Sequence, residues 1–296
     1  MVSTSLKLSE FIAGFWRLAD WQTTLPERRE IIETYLSLGV SSMDHADIYG
    51  QYQCERLFGD VLREAPALRQ QMEIISKCGI KPAIVGNPDR YVNHYDTGRD
   101  HIISSAEQSL RNLGTDYLDL LLIHRPDPLM NADEMAEAFY ALRKAGKVRH
   151  FGVSNFTPSQ FELVQSRLDF ALETNQVELS PLAMQVMHDG TLDQCQRLGI
   201  RPMVWSCLAG GALMSGTDER AVRVRAVLTE IQEQTGADDL SQLVYAWVRM
   251  HPSRPLPIIG SGNVERIKSA LASSHIVLSR QQWFSIWQAS MGHSVP

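Results

Sequence analysis

Eight short apolar runs punctuate this chain, and each is followed by a stretch with helical spacing. The runs fall at residues 11–16, 40–43, 72–77, 117–124, 149–153, 173–176, 201–205 and 256–259. The helical stretches lie at 26–38, 54–63, 99–113, 131–145, 158–167, 189–198, 219–234, 240–250, 264–271 and 280–289. The first is well marked: Pro26 suits a first helical turn, Ile31, Ile32, Tyr35 and Leu38 share a face, and Gly39 ends it. Residues 117–124 read Tyr-Leu-Asp-Leu-Leu-Leu-Ile-His, as a parallel strand buried on both faces does. Strand-helix alternation calls for a parallel sheet, and eight units can close into a (β/α)₈ barrel, here with closing helices at the C-terminus. An open doubly wound sheet is the rival, but it carries a glycine-rich turn after its first strand. Gly14 stands alone there, and no Gly-x-Gly-x-x-Gly occurs. With no internal repeat, low-complexity tract or flexible linker, residues 1–296 are expected to form one domain.

Composition narrows the functional classes. A formal net charge of −6 argues against a general binder of nucleic acid or anionic membranes. Cys54, Cys78, Cys195 and Cys207 are scattered, without the pairing of a disulfide scaffold or zinc site, so no metal is expected. The first residues lack a signal-peptide core, and no apolar run reaches membrane-spanning length. A cytoplasmic, monomeric protein with reduced thiols is expected.

The strand ends carry the chemistry. Asp44, Tyr49, Lys77 and His124 lie at or just after the ends of strands two, three and four, which share one face of a barrel. A free tyrosine, with a pKa near ~10, is a reluctant acid at neutral pH. A lysine ammonium beside it lowers that value, and a carboxylate beyond the lysine holds the amine charged. An imidazole can then orient a carbonyl oxygen. Such a group suits carbonyl reduction, in which an oxygen must gain a proton. Taken singly, each residue also has a structural reading: a solvated turn aspartate, a core-capping tyrosine, a surface lysine and a core histidine. The connection at 78–96 is long and carries Tyr91, His94 and Tyr95, which fits either a substrate lid or an irregular surface insertion.

Several longer motifs resemble the aldo-keto reductases. Asp-His-Ala-Asp-Ile-Tyr-Gly at 44–50, with Glu55 and Gly59 in step, is similar to that family's first signature. Leu-Leu-Ile-His-Arg-Pro at 121–126 resembles its histidine strand, and 147–156 resembles its Lys-x-Arg-x-x-Gly-Val-Ser-Asn-Phe signature. The match runs from about Gly14 to Arg266, with the motifs in the family's order. The resemblance implies a (β/α)₈ barrel and NADPH-dependent reduction of aldehydes or ketones. It implies that Tyr49 is the general acid, that Lys77 and Asp44 tune it, and that His124 orients the carbonyl.

For NADP(H) the resemblance implies further sites. Ser154, Asn155 and Gln176 would bind the nicotinamide carboxamide, and Trp205 would stack on its ring, with Gly14 allowing close approach. The backbone of Ser206, Cys207, Leu208, Ala209 and Gly210 would wrap the pyrophosphate. Ser261 and Arg266 match positions that bind the 2′-phosphate. Ser154 and Asn155 can equally serve a loop or helix cap, and Trp205 a core. Gly260 stands where the family often has a basic residue, Ser269 and Ala270 where it often has Glu-Asn, and His45 where a small hydroxylated residue is common.

Substrate selectivity is expected on the loops at 16–21, 80–96 and 126–130, whose aromatic residues suggest a largely apolar pocket for a small carbonyl compound. Three other functions compete. In a metal-dependent hydrolase, Asp44, His45, Asp47 and His124 would be ligands, which leaves Tyr49 and Lys77 without roles. A non-catalytic NADP-binding regulatory subunit would bind without turnover. A Schiff-base aldolase would use Lys77 as its nucleophile.

Overall fold

The computed structural model describes residues 6–296. Among the described residues ten strands form: β1 (Ile12–Gly14), β2 (Ser42–Asp44), β3 (Glu73–Cys78), β4 (Ile80–Lys81), β5 (His94–Tyr95), β6 (Leu118–Ile123), β7 (Val148–Ser154), β8 (Asn175–Glu178), β9 (Met203–Trp205) and β10 (Leu256–Ile259). Eight of them close into a parallel barrel in the order β1-β10-β9-β8-β7-β6-β3-β2. β4 and β5 pair antiparallel with each other, so the long connection is partly ordered as a small hairpin. The expected alternation therefore holds as a (β/α)₈ barrel. The helix Arg99–Leu113 and strand β10 match their sequence bounds, and most other elements shift by one or two residues. Residue contacts fall into two compact units. One runs to Gln176 and takes in Gly260–Gly262; the other comprises Val177–Ile259 and Asn263–Pro296.

The first unit is built on the parallel register of β1, β2, β3, β6 and β7. Every residue of β6 is buried, which accounts for its unbroken apolar run. Its exception, Asp119, is a buried carboxylate near the start of that strand. It accepts from Arg69 Nη2 at 2.7 Å, from the Ile74 backbone N–H at 2.9 Å and from Arg149 Nη1 at 3.2 Å. A charge at that depth persists only when paired and hydrogen-bonded. On the outside, Phe139 stacks on Phe151 with ring centroids 4.3 Å apart, seating the helix Ala132–Lys144 on β7.

Helix starts in this unit follow from local chemistry. Thr24 and Glu27 form a reciprocal capping box ahead of Leu25–Ser37, and Thr157 and Gln160 do the same ahead of Pro158–Gln165. The helix Cys54–Glu64 approaches the end of Arg99–Leu113 so closely that a Cβ on Gly59 would lie 2.1 Å from the Asn112 carbonyl oxygen. The same contact seats Glu55. Its carboxylate is fully buried and accepts from Ser76 Oγ at 2.7 Å and Asn112 Nδ2 at 3.1 Å. Glu55 and Gly59 thus join the two helices to β3, directly beneath the strand end that carries Lys77.

In the second unit, β9 pairs with β8 on one side and β10 on the other. The helices Leu240–Arg249 and Arg280–Met291 are joined by two indoles stacked 4.9 Å apart. Trp247 Nε1 donates to the Trp283 carbonyl and Trp283 Nε1 to the Trp247 carbonyl, each at 3.1 Å. Both polar edges of this aromatic pair are satisfied inside the unit. None of the described helices is long and apolar enough to cross a membrane.

Candidate active site

Asp44, Tyr49, Lys77 and His124 converge within the first unit. Asp44 is the last residue of β2, Lys77 is the penultimate residue of β3, and His124 follows β6. The register sets Asp44 beside Ile75 and Lys77 beside Leu122. Lys77 is fully buried, and its ammonium has three acceptors: Asp44 Oδ2 at 2.8 Å, the His45 carbonyl at 2.8 Å and the Tyr49 hydroxyl at 2.9 Å. An ammonium has three N–H donors, so all are used, as a buried charge requires. The surface-lysine reading of Lys77 is thereby excluded.

The second carboxylate oxygen of Asp44 is also engaged. Gln176 Nε2 donates to Asp44 Oδ1 at 2.8 Å. Asp44 is thus fixed on one side by the lysine and on the other by an amide from β8. In the sequence Gln176 stands out only through its family position, and nothing in the linear spacing announces the link to Asp44. Asn155 Nδ2 donates to Ser154 Oγ at 2.8 Å, and Ser154 Oγ to the main-chain carbonyl of Gln176 at 2.8 Å, which ties both residues to the backbone of the residue whose side chain holds Asp44. Asn155 has φ 59°, a left-handed conformation that asparagine tolerates better than most residues.

The electrostatics differ in one respect from the sequence expectation. Burial pushes the Tyr49 phenol above its ordinary value; the nearby Lys77 charge opposes this, Asp44 reinforces it, and the net direction is upward. The ammonium therefore moderates the shift without reversing it. Lys77 is held above its usual value: burial disfavours its charge, but Asp44 and then Tyr49 outweigh that cost. His124 is pushed well below the usual imidazole range by burial and by the charges of Lys77 and Arg125, so its ring is neutral at physiological pH. The rings of Tyr49 and His124 meet edge to face with centroids 5.7 Å apart, and His124 Nδ1 is buried without a hydrogen-bond partner. The site thus holds a neutral phenol, a neutral imidazole and one ion pair at neutral pH. That combination can donate a proton to an oxygen gaining charge and can orient that oxygen first.

His45 and Asp47 behave differently from their neighbours. The His45 ring stacks on Phe15 at 5.0 Å and meets Phe58 edge-on at 4.4 Å, and burial lowers its pKa to about 3. It is a neutral core residue whose backbone carbonyl serves Lys77. Among the described residues, no group of three or more His, Cys, Asp or Glu is arranged to hold a metal ion.

The backbone just past Tyr49 is unusual. Gly50, Gln51 and Tyr52 have φ of 55°, 54° and 67° in the short helical segment Tyr49–Tyr52. Left-handed backbone costs roughly 1–2 kcal/mol for each residue that carries a Cβ. Arg90 reaches this segment from the long connection, with Nη2 donating to the Tyr52 hydroxyl at 2.7 Å. This contact was not foreseen from sequence.

The remaining sequence candidates fall as follows. Gly14 pairs with Asp44 across β1 and β2. Ser261 accepts from the Tyr35 hydroxyl through its carbonyl at 2.7 Å. The loop at 16–21 packs on the same segment: Trp16 lies beside Gly260, and the Trp21 ring would be 2.9 Å from a Cβ on Gly262. That loop is expected to meet substrate; in the structure it also braces residues 260–262. In the second unit, Trp205 ends β9 and is partly exposed. After it the backbone turns left-handed at Ser206, Ala209 and Gly210, with φ of 54°, 51° and 65°. Leu208 is partly exposed, whereas the Cys207 thiol is buried and raised to about 12, so any role of Cys207 runs through its main chain. Arg266 is exposed in the first turn of Val264–Ala272, where its N–H is capped by Asn263 Oδ1 at 3.0 Å.

A sequence profile described as the aldo/keto reductase family matches residues 10–290. The chain belongs to that family. Its members are oxidoreductases that generally use a nicotinamide cofactor. "Oxidoreductase YdhF" of Escherichia coli (strain K12) is 55% identical, with 98% of this chain and 96% of the relative covered. A "6-dehydroglucose reductase" of Agrobacterium fabrum is 41% identical, covering 99% of this chain and 98% of the relative. Among solved structures, a thermostable aldo-keto reductase, Tm1743, in complex with the inhibitor epalrestat superposes with a TM-score of 0.80. It is 26% identical and covers 97% of both chains.

Proposed function

We propose that this protein is an NADPH-dependent reductase of aldehydes or ketones. Tyr49 acts as general acid, Lys77 and Asp44 tune it, and His124 orients the substrate carbonyl. The observation that carries this reading is the contact between the Lys77 ammonium and the Tyr49 hydroxyl at 2.9 Å, with Asp44 on the far side of the lysine. A neutral phenol holds its proton until an oxygen beside it gains charge. At that moment the ammonium at 2.9 Å stabilises the phenolate left behind. The neutral His124 ring can donate an N–H to the same oxygen and hold the carbonyl in line.

The residues fit a nicotinamide dinucleotide by the chemistry of their donor groups. When bound, that cofactor supplies the hydride. Ser154, Asn155 and Gln176 offer hydroxyl and amide groups suited to a neutral carboxamide. Because Gln176 Nε2 donates to Asp44, the side-chain oxygen Oε1 is the end of that amide suited to accept from the carboxamide N–H₂. In the second unit, Trp205 offers a flat face. The main chain of Ser206, Cys207, Leu208, Ala209 and Gly210 turns left-handed at three positions, a backbone of the kind that cradles anions, with the Ala209 N–H itself donating to the Ser206 carbonyl at 2.7 Å. Ser261 and Arg266 are assigned to the 2′-phosphate.

The Agrobacterium fabrum relative is named for 6-dehydroglucose, an aldehyde sugar, and at 41% identity it suggests the first compound to assay. The test is NADPH oxidation by the purified protein with 6-dehydroglucose, a generic aromatic aldehyde and an α-dicarbonyl. Saturable, carbonyl-dependent oxidation is expected with at least one. NADPH binding without turnover of any of them would contradict the reading.

A further inference from the structure

We infer that Arg90, on the connection between β3 and the helix Arg99–Leu113, is a positioning residue that clamps the turn bearing Tyr49. The inference rests on the assignment of Tyr49 as the acid. Three consecutive left-handed residues, two of them with a Cβ, follow Tyr49 directly. Such a run persists only where its surroundings over-determine it. Arg90 supplies that constraint from outside the turn. Its Nη2 donates to the Tyr52 hydroxyl at 2.7 Å and to the Pro82 carbonyl at 2.9 Å, and its guanidinium lies 5.6 Å from the Tyr52 ring centroid.

The other side of the turn points to the same residue. Asp47 lies two residues before Tyr49 and is buried, and its Oδ1 has no hydrogen-bond partner. Arg90 Nε is likewise buried and without a partner. Burial first, and then the Glu55 charge, push the Asp47 carboxyl well above its usual value; a backbone hydrogen bond from Ile48 and the charges of Lys77 and Arg90 oppose that shift without reversing it. Arg90 is thus hydrogen-bonded to Tyr52 and coupled by charge to Asp47, the two residues that bracket the acid in sequence. Both bonds leave one nitrogen of a planar guanidinium, whose N–H directions are fixed by that plane, unlike those of a freely rotating lysine ammonium.

The test uses the full chain carrying Arg90→Met, Arg90→Lys, Tyr52→Phe and the double variant Arg90→Met/Tyr52→Phe. Hydrogen exchange in the cofactor-free protein is the first readout, since it needs no activity. Arg90→Met is expected to speed exchange across residues 47–53 about tenfold and to leave the barrel strands unchanged. In turnover, kcat is expected to fall about tenfold to a hundredfold, with KM and the NADPH dissociation constant near wild type. Tyr52→Phe is expected to lower kcat in the same way, the double variant to be no worse than Arg90→Met, and Arg90→Lys to recover little. Unchanged exchange at 47–53, or exchange raised throughout the protein, overturns the clamp whether or not turnover is seen. A wild-type kcat in Arg90→Met overturns it as well. If the wild-type protein reduces no carbonyl, the proposed function fails and the exchange data alone decide the clamp.

Discussion

The Lys77 ammonium and the Tyr49 hydroxyl are 2.9 Å apart, although 28 positions separate the two residues in sequence. Parallel strand order creates that contact. β2 and β3 are neighbours in the barrel, so the loop leaving β2 folds over the end of β3. Asp44 completes the group from the last position of β2.

The lysine carries stability as well as chemistry. Asp44 and Lys77 are both buried, and removing one partner leaves the other charge uncompensated. Lys77→Met is expected to destabilise the fold by roughly 3–5 kcal/mol in urea unfolding and to abolish carbonyl reduction. A variant that stays fully stable would mean that the pair is not buried in solution.

The pH profile has a definite sign. Reduction needs Tyr49 protonated, and its pKa lies above the ordinary tyrosine value of 10.0 because burial outweighs Lys77. Activity is therefore expected to stay flat through neutrality and to fall only as pH rises past that ordinary value. His124 ionises well below 6.5, so it contributes no limb between pH about 6.5 and 9. Steady-state kcat/KM against pH checks this, and a fall centred near pH 7 would contradict it.

Gly59 is predicted to tolerate no side chain. Its added Cβ would meet the Asn112 carbonyl, which is backbone and cannot rotate away. Gly59→Ala is expected to cost roughly 1–3 kcal/mol or more by parting two packed helices, read as a lower melting temperature. A loss below about 0.5 kcal/mol would show that the helices separate easily.

Arg266 is predicted to distinguish the two dinucleotides. Arg266→Ala is expected to raise the NADPH dissociation constant about tenfold and to change that for NADH by less than about twofold, since a charge-assisted bond to a phosphate is lost only in the first case. Fluorescence titration with each cofactor measures this. Equal losses would remove the phosphate assignment.

Much of the fold was legible because it rests on period and length. The unbroken apolar run of β6 reads as a strand buried on both faces, and the helix Arg99–Leu113 shows its bounds through its spacing and the glycine that follows. The small hairpin β4-β5 was not legible, since two-residue strands carry no periodic signal. At the site, the types of Asp44, Tyr49, Lys77 and His124 announce a chemistry, but their distances come only from strand register. The contacts of Gln176 with Asp44 and of Arg90 with Tyr52 join residues far apart in sequence through single polar groups, and no local pattern encodes such a pairing. The upward shift of Tyr49 was also hidden, because it depends on burial, which no short motif states.

The most direct test of the account is Tyr49→Phe, which removes one hydroxyl and keeps the ring beside His124. NADPH affinity is expected to remain near wild type while kcat for carbonyl reduction falls by about 10²- to 10⁴-fold. A Tyr49→Phe enzyme that turns over at the wild-type rate would contradict the claim that this phenol delivers the proton.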